Sequence, residues 1–424
     1  MKEIIKNIIL ESQNTELPVI MERNIQILAN QNIIISLIGA RRSGKTFILY
    51  QTIKKLLESG VSNKNILLIN FEDERLNIKS ENLDFIIQAY QELYPEIKIK
   101  DTYLFFDEIQ NISGWEKFIR RIFDTKTRNI YLTGSNSKLL SSEIATELRG
   151  RTITYTVFPL NFKEFLKFNN TQPLLYPQKN KSKIINLANK YLTEGSFPES
   201  LNFDGIIKNK LLQQYFNVMI FRDIVERYHV SNIETLKFFV KKIFANVTKP
   251  LSINKIYHEL RSLGYSISNK YLYEFLDYCN SVFLIQNINK FNYSEIKQEK
   301  SDKKTYVIDN GLIRAIEFSV SQNMGKLFEN MVAMEFIKNN KNIFYFKNNF
   351  ECDFIVEDNH IYLPVQASFT FADNETKNRE IRALIEACNY INSNNGTIIT
   401  FDTEENLVYD GIKVAIVPFY KYFL

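Results

Sequence analysis

The chain has 424 residues, 45% hydrophobic and 24% charged, with 53 Lys and Arg against 48 Asp and Glu for a formal net charge of +5. This is ordinary for a globular protein, enough for about two to four domains, and the mild positive balance permits a nucleic-acid partner without demanding one. No apolar stretch approaches the ~20 residues that cross a bilayer. Cys279, Cys352 and Cys388, odd in number and far apart, supply neither a disulfide framework nor a zinc knot, so a reduced, cytoplasmic protein is expected.

Met1 to Lys6 begins an amphipathic helix and has no signal-peptide character. The apolar run Ile33–Gly39 reads as a buried strand, and the next signal is the octapeptide Gly39-Ala40-Arg41-Arg42-Ser43-Gly44-Lys45-Thr46. A Gly-x-x-x-x-Gly-Lys-Thr loop between a strand and a helix (Phe47 to Glu58) turns backbone N–H groups and a helix N-terminus toward phosphate oxygens. Lys45 is expected to reach the β- and γ-phosphates and the Thr46 hydroxyl to ligate Mg. Further strands fall at Ile66–Asn70, Tyr103–Asp107, Asn129–Thr133 and Thr152–Val157, alternating with helical stretches as in a parallel α/β sheet. The second ends in the acidic tip Asn70 to Glu74.

The third strand delivers two carboxylates at its end, Asp107 for Mg and Glu108 to orient and deprotonate the attacking water. Lying about 60 residues after the loop, they complete a site for nucleotide hydrolysis. The fourth ends in Thr133-Gly134-Ser135-Asn136-Ser137, where a hydroxyl or amide would face the γ-phosphate, unless Ser and Asn merely cap the turn. Arg149 and Arg151, before the last strand, are the candidates for an arginine finger acting in cis or across a subunit interface; the plain alternative is a solvated pair beside a turn.

In this order the phosphate loop, Phe106 to Gln110 with Gly114-Trp115, Thr133 to Leu140, Leu148-Arg149-Gly150-Arg151, Phe158 to Phe165 and Tyr191 to Glu199 resemble a family of prokaryotic AAA+-like ATPases. The resemblance implies ATP as the nucleotide and Asn136 or Ser135 as the first sensor. Members typically carry a C-terminal domain related to the PD-(D/E)xK nuclease fold. The expected fold class is therefore α/β: a P-loop AAA+-like parallel-sheet core (1–165), a helical lid or connector (166–235), a winged-helix module (236–299) and a restriction-endonuclease-like α/β domain (300–424).

In the winged-helix segment, helices Phe238–Ala245, Ser252–Leu263 and Ser268–Cys279 precede the strand Val282–Ile285. Asn269 and Lys270 open the third helix, which carries no Arg, so a basic stripe for groove reading is missing. The charged segment Asn292–Lys304 lacks an apolar period and reads as a flexible wing tip or linker. A nuclease of the implied type needs an acid on a helix, an Asp on a strand and Glu/Gln-x-Lys on the next, the acids holding a metal and the lysine activating water. Glu329, Asp353 and Gln366 match, but Ser368 stands at the lysine position. A degenerate domain kept for binding or assembly is the favoured reading; the alternatives are a domain that still cleaves with a lysine migrated from elsewhere, such as Lys347, and a plain strand pair with ordinary acidic ends. Asp373 to Glu380 reads as a charged, solvated helix start.

These expectations describe an Mg-dependent ATPase coupling nucleotide state to its other modules, associated with DNA or RNA in mobile elements or defence. The alternatives are a signalling or scaffold ATPase gripping a protein partner or driving oligomerisation, and an ATP-gated nuclease. A homo-oligomer without membrane contact is expected.

Overall fold

The structure, a computed structural model, describes residues 1–25, 27, 32–137, 148–316, 323–371 and 374–424. Lys138 to Leu140 of the Thr133 to Leu140 motif and Asp373 lie outside them. The described chain forms two compact units, Met1–Val157 and Phe158–Leu424.

In the first unit, β1 (Ile34–Ile38), β2 (Ile66–Asn70), β3 (Tyr103–Asp107), β4 (Ile130–Gly134) and β5 (Thr152–Thr156) build one sheet in the order β2-β3-β4-β1-β5. All its pairings are parallel. The strands read as unbroken apolar runs because both faces are covered, and every residue of β1 and β4 is buried. Helices α1 (Lys2–Asn14), α2 (Lys45–Glu58), α3 (Asp84–Leu93) and α4 (Trp115–Thr125) accompany the sheet. Helix α4 buries Trp115, Phe118, Ile119, Ile122 and Phe123, an i, i+3, i+4, i+7, i+8 stripe that makes Trp115 a packing residue.

The sheet order decides where chemistry gathers. A parallel sheet places every C-terminal strand end on one edge, and the crossover from β1 to β2 passes over β4 and β3. Ile38 is level with Gly134 on one side and Thr156 on the other. The loop after β1, the acids ending β3 and the polar residues after β4 therefore lie side by side.

The second unit opens with α5 (Phe162–Phe168), α6 (Gln178–Glu194) and α7 (Gly205–Val218), which runs on as a π-helical turn over Met219–Glu226. Next come α8 (Ile233–Ala245), α9 (Ile253–Ser262), α10 (Asn269–Ser281) and an antiparallel ribbon of β6 (Ile285–Ile288) and β7 (Lys304–Val307). The connection holds a short helix, α11 (Glu295–Glu299). Helix α12 (Asn310–Ile316) and helix α13 (Met324–Lys338) follow. A six-stranded mixed sheet, β8 (Asn342–Lys347), β9 (Glu351–Asp358), β10 (Ile361–Ser368), β11 (Asn395–Thr400), β12 (Glu405–Tyr409) and β13 (Ile412–Pro418), runs in the order β12-β13-β11-β10-β9-β8. Helix α14 (Asn374–Ile391) buries Ile381, Leu384, Ile385 and Cys388 in a core shared with Ile355, Ile398, Val414 and Ile416.

The first compact unit closes at Val157, and α5 is tied into the second: the Phe162 N–H donates to Glu335 Oε1 of α13 at 3.1 Å. One observation departs from the sequence reading: residues 292–304 are not a linker throughout, since Lys304 begins β7 and is fully buried.

A buried polar web explains the motifs at 158–165 and 191–199. Tyr191 donates to Glu335, and Lys338 Nζ donates to Leu160 O at 2.9 Å, Tyr191 Oη at 2.8 Å and Ser196 Oγ at 3.1 Å. Asp309 Oδ2 accepts from the Ser196 N–H at 2.6 Å and its hydroxyl at 2.9 Å, while Oδ1 accepts from the Gly311 N–H at 2.8 Å. At Gly195, φ is +79°, and a Cβ would lie 1.9 Å from Asp309 Oδ1, so only glycine fits.

Candidate active site

The loop after β1 is shaped by its glycines. Gly39 needs its lack of a Cβ, which would stand 2.0 Å from Val157 O, and Gly44 (φ +99°) precedes the first turn of α2. Arg42 also takes a positive φ of 64°. The Ser43 hydroxyl is buried within the loop with no hydrogen-bond partner, as expected where an anion supplies the acceptor. Lys45 is buried and donates from Nζ to Gly39 O and Ala40 O, both at 3.1 Å, with Glu108 Oε1 at 3.3 Å.

The acids ending β3 are held from two sides. Thr46 Oγ1 donates to Asp107 Oδ2 at 2.9 Å, and Thr133 of β4 donates to Asp107 Oδ1. The same Thr133 hydroxyl accepts the Glu108 N–H at 2.8 Å. Glu108 sits in the left-handed region at φ +52°, a conformation a glutamate keeps only when its surroundings impose it. Gln110 Nε2 donates to Glu108 Oε2 at 2.6 Å and to Ser135 Oγ at 3.4 Å. Burial disfavours the Glu108 carboxylate, but the Lys45 ammonium and the Gln110 amide outweigh it and hold the carboxyl below its ordinary value. Asp107 moves the other way, pushed up by burial and by the Glu108 charge against the Thr133 and Thr46 hydroxyls.

Ser135 and Asn136 are buried at the C-terminal edge of the sheet, just after β4. Arg41 pairs with Glu72 of the acidic tip at 2.8 Å. Phe47 is exposed and meets Tyr50 edge-on at 5.8 Å. The two arginines are elsewhere. Thr152 is level with Ile34 at the start of β1, so Arg149 and Arg151 lie at the opposite edge, four strand steps or roughly 13 Å from the loop. Arg151 is bound to Asp124 and lies over the Phe123 ring at 5.7 Å; Arg149 is exposed. Within one chain they do not join Lys45 and Glu108.

Thr133 and Gln110 are the side chains that hold the two acids; the sequence places them in a polar strand end and in the Phe106 to Gln110 motif, but their contacts with Asp107 and Glu108 are not legible in the pattern.

A second cluster occupies the C-terminal unit. Lys304 Nζ lies 2.7 Å from Glu329 Oε1, 3.0 Å from Glu351 Oε1 and 3.2 Å from Asp353 Oδ1. Tyr306 donates to Glu329 Oε1 at 3.0 Å, and the Ala367 N–H to Asp353 Oδ2 at 3.1 Å. Gln366 accepts the Asp353 N–H at 3.0 Å and donates to Glu380. Ser368 Oγ is spent on Thr370 O at 2.9 Å, and Lys347 approaches Glu351 from the exposed side at 3.0 Å. Glu329, Asp353 and Gln366 are thus brought together, with a lysine that their spacing did not reveal. Among the described residues no group of three or more His, Cys, Asp or Glu is arranged to hold a metal ion.

Burial and the neighbouring Asp353 charge push Glu329 up to about 8, against Lys304. A carboxyl whose folded value exceeds its unfolded value contributes stability below the unfolded value that is lost as pH rises through the folded one. The unfolding free energy of the parent relative to Glu329→Gln should therefore fall between about pH 5 and pH 8. Denaturant titrations of both proteins across that range check this; a pH-independent difference would contradict it.

Residues 31–166 match the AAA domain family, and residues 185–323 and 324–422 match two domains of unknown function, DUF8612 and DUF4143. No described helix is long and apolar enough to cross a membrane. DnaA of Aquifex aeolicus bound to AMPPCP superposes with a TM-score of 0.26 at 14% identity, over 65% of this chain and 86% of that one. An uncharacterized Haemophilus influenzae protein is 31% identical over 80% of this chain and 84% of its own length. The uncharacterized protein MJ1544 of Methanocaldococcus jannaschii is 37% identical over 96% of this chain and 91% of its own. The chain belongs to the family of MJ1544, with an α/β AAA domain at its N-terminal end.

Proposed function

We propose that the first unit binds Mg·ATP and hydrolyses it to ADP and phosphate. The observation that carries this reading is the convergence of Lys45, Thr46, Asp107 and Glu108 on one edge of the sheet, beside a glycine-shaped loop with a buried hydroxyl lacking a partner. The donors fit the expected ion: a hydroxyl and a carboxylate 2.9 Å apart are the oxygen ligands Mg²⁺ takes beside phosphate. Held there, Mg²⁺ would neutralise phosphate charge as the bond to the leaving group breaks.

The chain's own residues do the rest. Lys45 exchanges Gly39 O, Ala40 O and Glu108 for phosphate oxygens, and the Ser43 hydroxyl and loop N–H groups take others. Freed from Lys45, Glu108 orients the attacking water and accepts its proton, while Thr133 keeps both acids in place. Gln110 links Glu108 to Ser135, so the base and the polar residues after β4 move as one hydrogen-bonded group. Arg149 or Arg151 serves a neighbouring copy's phosphates in this reading, since neither reaches its own.

The second unit supplies what the nucleotide cycle acts on. Its three helices and ribbon, α8 to β7, are read as a winged helix whose α10 exposes Tyr271 and Tyr273 beside Lys270. Aromatic faces next to a cation suit stacking on single-stranded nucleic acid. Steady-state ATP hydrolysis, measured with Mg²⁺, with EDTA, and with single- or double-stranded DNA, tests both parts. Turnover abolished by EDTA and raised by DNA is expected. No turnover under any condition would overturn the ATPase reading, and a rate unmoved by DNA would transfer the load to a protein partner.

A further inference from the structure

The carboxylates Glu329, Glu351 and Asp353 come from α13 and β9, and each approaches one point from a different direction. Carboxylates gathered in this way are what a divalent cation needs for its oxygen ligands. Here the point is already taken. An ammonium has three donors and no acceptor, and those of Lys304 have three carboxylate partners between 2.7 and 3.2 Å. We propose that Lys304 is a built-in substitute for a divalent cation, making this cluster an internal cation site filled by the chain itself and not a metal centre for phosphodiester cleavage. This stands apart from the nucleotide site and does not depend on it.

Three features favour that assignment over a hydrolytic lysine. First, the Lys304 side chain is wholly inaccessible, so it presents no face toward a substrate. Second, the polar groups of β9 and β10 beside it are engaged. Both Asp353 oxygens have partners, the Gln366 amide joins Asp353 to Glu380, and Ser368 is turned to Thr370. Third, Lys304 arrives on a strand fixed at its other end. The Val307 N–H donates to Asn330 Oδ1 at 2.8 Å and Asn330 Nδ2 donates to Val307 O at 2.9 Å, so α13 grips β7 through its backbone. Ammonium and carboxylates together fasten the ribbon to the helix and sheet.

Removing the ammonium should leave three carboxyl groups around a cation-sized space, whose charged forms cost much unless another cation enters. The test uses the full chain without nucleotide, with Asp107→Asn in every arm to remove the other metal ligand. Mn²⁺ binding is read by electron paramagnetic resonance, and unfolding by circular dichroism. With Lys304 intact, no Mn²⁺ should be taken up at this cluster and Tm should not move. Lys304→Met should bind one equivalent and gain Tm with Mn²⁺, and adding Asp353→Asn should abolish both. Uptake of Mn²⁺ by the Lys304 chain that Asp353→Asn removes would overturn the proposal, as would a folded Lys304→Met protein that binds none. If Lys304→Met does not fold even with Mn²⁺, the titration of the Lys304 chain decides alone: no uptake upholds the assignment, and uptake lost on Asp353→Asn refutes it.

Discussion

Glu108→Gln is expected to leave ATP binding intact and to lower kcat by about 10²–10⁴-fold, the usual contribution of a positioned general base. The substitution keeps the side chain's size and its acceptor oxygen for Gln110 Nε2, so the geometry around Asp107 and Thr133 survives. It removes the proton acceptor and the charge that Lys45 now neutralises. Binding does not suffer, because the loop, Lys45 and Thr46 hold the phosphates. Single-turnover hydrolysis beside a binding titration separates the two effects. Parental turnover would show that another group takes the proton.

Asp309→Ala should destabilise the second unit by about 3 kcal/mol or more, because it removes the acceptor for three buried donors. The Ser196 N–H, the Ser196 hydroxyl and the Gly311 N–H all end on this carboxylate. Burial raises its protonation equilibrium, opposed by Lys338 and the Ser196 donors. Chemical denaturation followed by circular dichroism measures the loss. A change below about 1 kcal/mol would mean that water or a neighbour replaces the carboxylate. The nucleotide site should be untouched, so ATP affinity at low temperature serves as the control.

The first unit was nearly readable from the chain. Its strands are short apolar runs bounded by polar residues, and the observed limits of β1 to β5 lie within a residue of those drawn from sequence. The phosphate loop needs specific residue types at fixed spacing, and so do the acids ending β3. What the pattern alone does not supply is sheet order, which sets β4 between β3 and β1; Arg149 and Arg151 lie at the far edge from the loop because they precede β5, which runs parallel to β1. Nor could the pattern show Thr133 bridging two acids, since that depends on β4 lying beside β3.

Legibility fell in the second unit for a physical reason. Lys304 ends the charged run Lys297 to Lys304, where a lysine normally marks solvent. Its burial is decided by Glu329, Glu351 and Asp353, distant residues that local periodicity does not see. From sequence alone, the motifs around Leu160 and Ser196 are family signatures without a role. The web through Tyr191, Asp309, Glu335 and Lys338 gives them one, tying early helices to α13. β12 lies at a sheet edge with much of its surface exposed, so its run lacks the buried apolar stretch that marks the central strands.

The most direct test of the central claim is an equilibrium titration of the full chain with a fluorescent ATP analogue and Mg²⁺, run beside Lys45→Ala. The account predicts saturable binding at one site per chain, competed by ATP and lost in Lys45→Ala. Equal affinity in the two proteins, or no binding by either, would contradict it.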